Sequence, residues 1–172
     1  MRASIVASAA RTLRRKGLAG VSVPALMKEA GLTHGGFYVH FQSRDQLVAE
    51  AVMAAAEATG KNVLSCEPGD LSRTLELYLS KEHVKHPEAG CVLAALGTEG
   101  RTQPAPVRRA FAKAARGFVA HLDEKTVTSP AGAPPSDETL VLASKMIGAV
   151  LLARLVDDDQ LAARILNAVK ES

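Results

Sequence analysis

The chain has 172 residues, 47% of them hydrophobic and 23% charged, with a formal net charge of +3. That length holds one small module plus one larger domain with its own core, and the apolar fraction is globular, which excludes disorder as the default state. The charge is uneven: residues 1–50 carry seven Lys or Arg against three Asp or Glu, and the remainder fourteen against fifteen. Positive potential at one end suits a polyanion such as nucleic acid.

Several function classes are excluded early. Arg2 leads into a mixed amphipathic segment rather than an apolar leader with a cleavage site, so the expected location is the cytoplasm. The most apolar window, Thr139 to Val156, is interrupted by Lys145 and Arg154 and leaves too short an uncharged run for a membrane span. Cys66 and Cys91 are too few for a disulfide framework and lack the paired spacing of a zinc site, so no metal and no cofactor are expected. There is no phosphate-binding glycine loop, nucleophile elbow or HExxH helix, and catalysis is not expected.

From Ala3 to Lys16, Ile5, Val6, Ala9, Ala10 and Leu13 recur at helical steps and predict an amphipathic first helix ending near Gly17. The basic run Arg14, Arg15, Lys16 suits either DNA or a solvated helix end stabilised by the helix dipole. Ser22 is placed to cap a second helix, Val23 to Ala30, with Pro24 tolerated in its first turn, and Gly31 suits the left-handed residue that ends it. Thr33 can cap a third helix after a turn of about three or four residues, the spacing of a helix-turn-helix.

Gly35 and Gly36 fall at the first turn of that third helix, where each costs roughly 1 kcal/mol relative to Ala. Missing side chains there let the backbone approach another surface, and the helix amino end carries unpaired N–H groups and positive dipole that suit a phosphate. Phe37 and Phe41, four apart, should face inward, leaving His34, Tyr38 and Val39 free to meet a partner. Ser43 and Gln46 form a capping box for a fourth helix reaching about Gly60 and leaving the small module as one continuous rod.

These residues carry a resemblance. The segment from about Arg2 to Glu50 resembles the DNA-binding domain of TetR-family transcriptional repressors, with Phe37, Tyr38, His40, Phe41, Arg44 and Leu47 matching the family signature position by position. The resemblance implies that His34 and Val39 face base edges, that Tyr38, His40 and Arg44 hold phosphates, and that Thr33 lies near the DNA backbone. Ser22 stands where the family often has a threonine that also meets a phosphate. Arg44 replaces a commoner Lys and keeps its charge; Gly36 occupies a position that often carries a hydroxyl, which removes one base contact.

Pro68 and Gly69 break the helical pattern, and a helix from Asp70 or Ser72 to His86 follows, carrying Leu71, Leu75, Leu77, Tyr78 and Leu79. A short helix spans Cys91 to Thr98 and a longer one runs from about Pro106 to Leu122. Thr128 to Asp137, with three prolines, reads as a loop. Two last helices are expected near Asp137 to Leu155 and Asp158 to Val169. The fold class is therefore all-α, with about nine helices: a three-helix helix-turn-helix domain over residues 1–48 and a larger helical effector-binding and dimerisation domain over 49–172.

The last two helices carry more aliphatic surface than a small domain needs, from Leu140 to Val169, to be buried by self-association or in a single core. The family resemblance favours a homodimer through residues 137–169, reading a palindromic operator on double-stranded DNA. For an effector, the aromatic supply is thin: Tyr78, Phe111 and Phe118, the last two seven apart on one face, suit core packing better than stacking a flat drug-like molecule, and point to a small or reactive ligand. Cys91 follows Gly90 at a helix start, where unpaired N–H groups favour a thiolate and His86 could assist. The bland alternative is a buried structural thiol. Segment His86 to Leu96 also resembles one found in a subset of TetR-family regulators, some of which respond to electrophilic or oxidising compounds through a thiol at this place. The function implied is a ligand-responsive repressor released from its operator, with a thiol-switched regulator or an effector-independent adaptor or activator as alternatives.

Overall fold

The computed structural model describes residues 1–19, 22–62, 64, 70–126 and 134–172, with only the backbone of His34. Among the described residues there are ten α-helices, one 3-10 turn and no strand. In chain order they are α1 (Arg2–Lys16), α2 (Val23–Glu29), the 3-10 turn His34–Gly36, α3 (Phe37–His40), α4 (Arg44–Asn62), α5 (Leu71–Tyr78), α6 (Lys81–Lys85), α7 (Val92–Gly100), α8 (Ala105–Thr126), α9 (Asp137–Leu155) and α10 (Asp159–Lys170). The all-α class is as expected. The proline-rich loop falls largely outside the described residues, as does Cys66.

Most boundaries follow from capping chemistry. Gly17 and Gly31 adopt the positive φ values, +82° and +73°, that let the chain leave α1 and α2. Ser22, Asp70, Ser80, Ser136 and Asp158 each accept a backbone N–H from the first turn of the helix they precede. At α4 the Ser43 hydroxyl accepts the Gln46 N–H at 3.1 Å, while the Gln46 side chain reaches back to the Gln42 N–H at 2.8 Å, one residue beyond the expected box. α4 then runs unbroken past residue 48, packed along α1 on one side and α8 on the other.

Two expectations need correction. The third helix begins as a 3-10 turn closed by the Gly36 N–H on the Thr33 carbonyl at 3.1 Å, and α3 has Gly36 at its cap with no side-chain bond. Two glycines are poor helix formers, so the tighter turn replaces both the first α-helical turn and the hydroxyl cap. The helix expected from Asp70 to His86 is two helices. Ser80 restarts the chain by accepting the His83 N–H at 3.1 Å, and the His83 ring bonds the Tyr78 carbonyl at 2.6 Å across the break.

The buried apolar residues form two clusters. One joins α1 to α4 with α7 and α8, through Leu13, Phe37, Phe41, Leu47, Val52, Leu96 and Phe111; the other gathers Tyr78, Cys91, Phe118, Leu122, Met146, Val150 and Leu166. Between them lies a polar knot. The Gly90 carbonyl accepts from Arg14 at 2.6 Å and from the Thr59 hydroxyl at 3.3 Å. Arg14 is therefore no solvated helix end: it is buried, and burial pushes its pKa down. Arg154 donates to the His83 carbonyl at 2.8 Å and the Val84 carbonyl at 3.2 Å.

His83 is the second part of the knot. Its Nδ1 faces the Tyr78 carbonyl and its Nε2 accepts the Cys91 N–H at 2.8 Å, which requires the neutral ring protonated on Nδ1. Burial first, with Arg154 and Arg14 adding repulsion, pushes its pKa down to about 4 against the pull of the Tyr78 carbonyl. Gly90 makes the fit possible, since a Cβ there would stand 2.3 Å from His83 Cδ2 and 2.5 Å from Nε2. A neutral imidazole in the fold and an ordinary one in the unfolded chain mean that stability is complete above the unfolded pKa near 6.5 and falls as pH drops toward 4. The loss should be about 2 kcal/mol by pH 5. Gly90→Ala attacks the same bond by displacing the ring, and should cost about 2–3 kcal/mol near neutral pH while flattening the acid dependence. Urea unfolding of both proteins near pH 7.5 and pH 5 checks both effects; an unchanged slope in the variant would remove His83 as the source.

Candidate nucleic-acid interface and ligand cavity

The amino-terminal module presents one side of its third element outward. Phe37 and Phe41 stack at 5.6 Å and are buried, as their spacing predicts. Tyr38 and Val39, the residues between, are 69% and 79% exposed. Beside them Gly35 opens onto nothing within 4 Å, and Gly36 meets only Met27 and Thr33 at 3.8 and 3.9 Å. Thr33 and Ser22 are exposed as well, while His40 is half-buried. The side chain of His34 lies outside what is described.

Two cations hold this module together. The Arg2 guanidinium lies 4.8 Å over the Phe41 ring, pairs with Glu50 at 2.6 Å and donates to the His40 carbonyl at 3.3 Å. Nothing in the local sequence signals this contact, because its partners lie 38 and 48 residues away. Arg44, expected at a phosphate, donates to the Leu18 carbonyl and so ties the start of α4 to the α1–α2 connection. The adjacent Leu18 N–H donates to the Glu99 carboxylate of α7 at 2.9 Å. Arg15 and Lys16 pair with Glu29 at 3.5 and 2.9 Å. Hydrogen bonds from Thr12 and Lys16 lower the Glu29 pKa.

A cavity of about 950 Å³ lies between α4 and α8. Its walls include Met53 and Leu64, Val92 and Leu93 of α7, Phe118 of α8, and Arg2 and Val6 of α1. The amino-terminal module thus supplies part of the wall. Cys91, 2% exposed, stands in that wall at the cap position of α7. Its N–H is bonded to His83, whereas His86 is exposed and pairs with Glu82 at 3.0 Å and Glu88 at 3.2 Å. The histidine beside Cys91 is therefore His83, which sequence spacing alone did not single out.

Of the other expected effector residues, Phe118 lines the cavity and Tyr78 packs behind it at 5.4 Å. The Tyr78 hydroxyl is buried against the Cys91 side chain; burial first and Cys91 second raise its pKa. Phe111 belongs to the other core cluster, against Gly100, where a Cβ would come within 2.9 Å of its ring. Among the described residues, no cluster of His, Cys, Asp and Glu is arranged to hold a metal ion, and no helix is long and apolar enough to cross a membrane.

The far end of the molecule leaves an apolar stripe uncovered. Leu140, Val141, Leu152 and Leu155 of α9 and Leu161 of α10 are exposed, whereas Val150 and Leu166 are buried. Within that stripe a Cβ on Gly148 would meet nothing within 4 Å.

A family model described as bacterial regulatory proteins, tetR family, matches residues 5–51. The uncharacterized HTH-type transcriptional regulator Rv0196 of Mycobacterium tuberculosis is 31% identical over 169 residues, covering 91% of this chain and 86% of that protein. Among solved structures, reduced NemR of E. coli superposes with a TM-score of 0.76 at 22% identity, over 99% of this chain and 95% of that one. AibR, in complex with isovaleryl coenzyme A and operator DNA, gives 0.66 at 20% identity, over 97% and 96%. At these identities the structures establish a shared fold, and the sequence matches establish kinship. The chain belongs to the TetR family of DNA-binding transcriptional regulators, a family of regulators and not of enzymes.

Proposed function

We propose that this protein is a cytoplasmic, homodimeric repressor that sits on a palindromic operator and leaves it when a small molecule occupies the α4–α8 cavity. Residues 1–48 bind DNA, and residues 49–172 sense the ligand and dimerise. The observation that carries this reading is the outward pair Tyr38 and Val39 beside the open backbone of Gly35, while the flanking Phe37 and Phe41 are buried. His34 and Val39 read base edges; Gly35 and Gly36 let the backbone approach; Ser22, Thr33, Tyr38, His40 and Arg44 position the phosphates. Arg44 has a second task, since its bond to Leu18 sets how α4 meets the module.

The exposed stripe on α9 and α10 supports pairing of two copies, and Gly148 gives a second helix room to approach. AibR, which shares the fold, was crystallised with both isovaleryl coenzyme A and operator DNA, in keeping with a ligand site and a DNA site in one chain. Release is a two-state shift: ligand between α4 and α8 favours a spacing of the two modules that no longer fits both half-sites.

A second reading is favoured by the place of Cys91 in the cavity wall, where a reagent entering the cavity meets the thiol with Tyr78 and Phe118 beside it. In that case modification of Cys91 replaces ligand binding as the trigger. His86 and Phe111, which stand elsewhere, have no part in it.

Four outcomes are expected. Arg44→Gln weakens binding to every DNA sequence and lowers the slope of log affinity against log salt by about 1, whereas Val39→Ala shifts preference among operators by about 1–3 kcal/mol at one base pair; fluorescence anisotropy over a salt series checks both. Leu152→Glu combined with Leu155→Glu yields a monomer by light scattering, with operator affinity lost. Under the thiol reading, mild peroxide releases the wild type from operator DNA and leaves Cys91→Ser bound; equal release of both would discard that reading.

A further inference from the structure

We infer that the α4–α8 cavity takes a single-chain amphiphile with an anionic head, its tail among the apolar walls and its head at Lys113 and Arg116 on the rim. The inference rests on the effector reading above and names the chemical class of the ligand.

The first observation is what opens the cavity. Gly60 on α4 and Gly117 on α8 both line it, both lie within helices, and a Cβ on either would meet nothing within 4 Å. Neither has the positive φ that demands glycine, which is confined to Gly17 and Gly31 among the described residues. Glycine is the poorest helix former after proline, so neither backbone geometry nor close packing accounts for the pair. The space they leave does. Ala56 and Ala114 continue the small lining, and Met53, Leu93 and Phe118 add larger apolar walls.

The second observation is charge. Glu50 is paired with Arg2 and Glu57 with Lys61, each at 2.6 Å, so the acidic groups of the lining are already neutralised. Lys113 and Arg116 line the same cavity from one face of α8, three residues apart, and neither is paired with a carboxylate among the described residues. The uncompensated charge at the rim is therefore positive. A cationic ligand would need an acidic or aromatic cage, and among the described lining residues the carboxylates are paired and Phe118 is the one Phe, Tyr or Trp. An apolar tail with a carboxylate or phosphate head complements both parts of the site.

The test is calorimetric titration of the full-length protein, without DNA, by decanoate, decanol and decyltrimethylammonium below their micellar concentrations. Decanoate should bind about tenfold tighter than either of the others. In Lys113→Gln/Arg116→Gln it should fall to the level of decanol. Gly117→Leu should bind none of the three while melting no lower than the wild type, because the added side chain improves the helix and enters open space. Equal affinity for all three probes, no binding of decanoate, or an undiminished decanoate preference in the double variant would overturn the assignment. Repeating the titration with operator DNA separates this inference from the reading beneath it. Decanoate that binds without changing operator affinity refutes the effector role alone; release of operator by decanol or by the cation, but not by decanoate, refutes the anionic class alone.

Discussion

The carbonyl oxygen of Gly90 is the point on which the arrangement of helices depends. It receives the Arg14 guanidinium from the end of α1 and the Thr59 hydroxyl from α4, and the next residue opens α7 with its N–H on His83. A carbonyl accepting from a buried cation is a strong contact, and removing either partner strands a charge or a dipole away from water. Only glycine fits there, because the His83 ring and an Arg154 nitrogen occupy the space of a Cβ. Cys91, Tyr78 and the Ser80 cap at the break between α5 and α6 each bond His83.

From that knot α7 acts as a strut. At one end it is held to α1 through Gly90 and Arg14; at the other, Glu99 accepts the Leu18 N–H, and the Leu18 carbonyl in turn receives Arg44 at the start of α4. The residues that begin α7 also form the cavity wall, so one element touches the cavity, the end of α1 and the start of the α1–α2 connection. α4 supplies a second route. It is a single helix from Arg44 to Asn62, about 28 Å long at 1.5 Å per residue, lining the cavity from Ala49 to Gly60 and following closely on α3 at its start. Displacement of one end of such a rod moves the other, and the Arg2–Glu50 pair and the Arg2–Phe41 stack carry the module with it.

Much of this was legible in local chemistry. A hydroxyl or carboxylate three residues ahead of a backbone donor starts a helix wherever it occurs, so Ser22, Ser43, Asp70, Ser136 and Asp158 mark their boundaries without reference to the rest of the chain. The inward pair Phe37 and Phe41 and the outward pair Tyr38 and Val39 follow from a four-residue period. The family signature in the same stretch points to DNA. Misreadings came where a distant partner overrode the local rule: Arg14 looks like the solvated end of a basic run until Gly90 arrives 76 residues later. Likewise, Ser80 reads as an ordinary helical residue until the His83 ring is needed for both Tyr78 and Cys91.

Periodicity, caps and glycine placement, all short-range properties, thus specify about nine helical segments, one of which the structure divides at Leu79, and they mark Tyr38 and Val39 as an outward pair. What they cannot encode is which helices meet. The choice of His83 over His86 as the neighbour of Cys91, the pairing of Glu50 with Arg2, and the cavity that Gly60 and Gly117 both line depend on how separate elements meet in space. Those contacts arise only when α1 meets α4, α6 meets the start of α7 and α4 meets α8, because burial and charge pairing are properties of the assembled surface and not of the chain order.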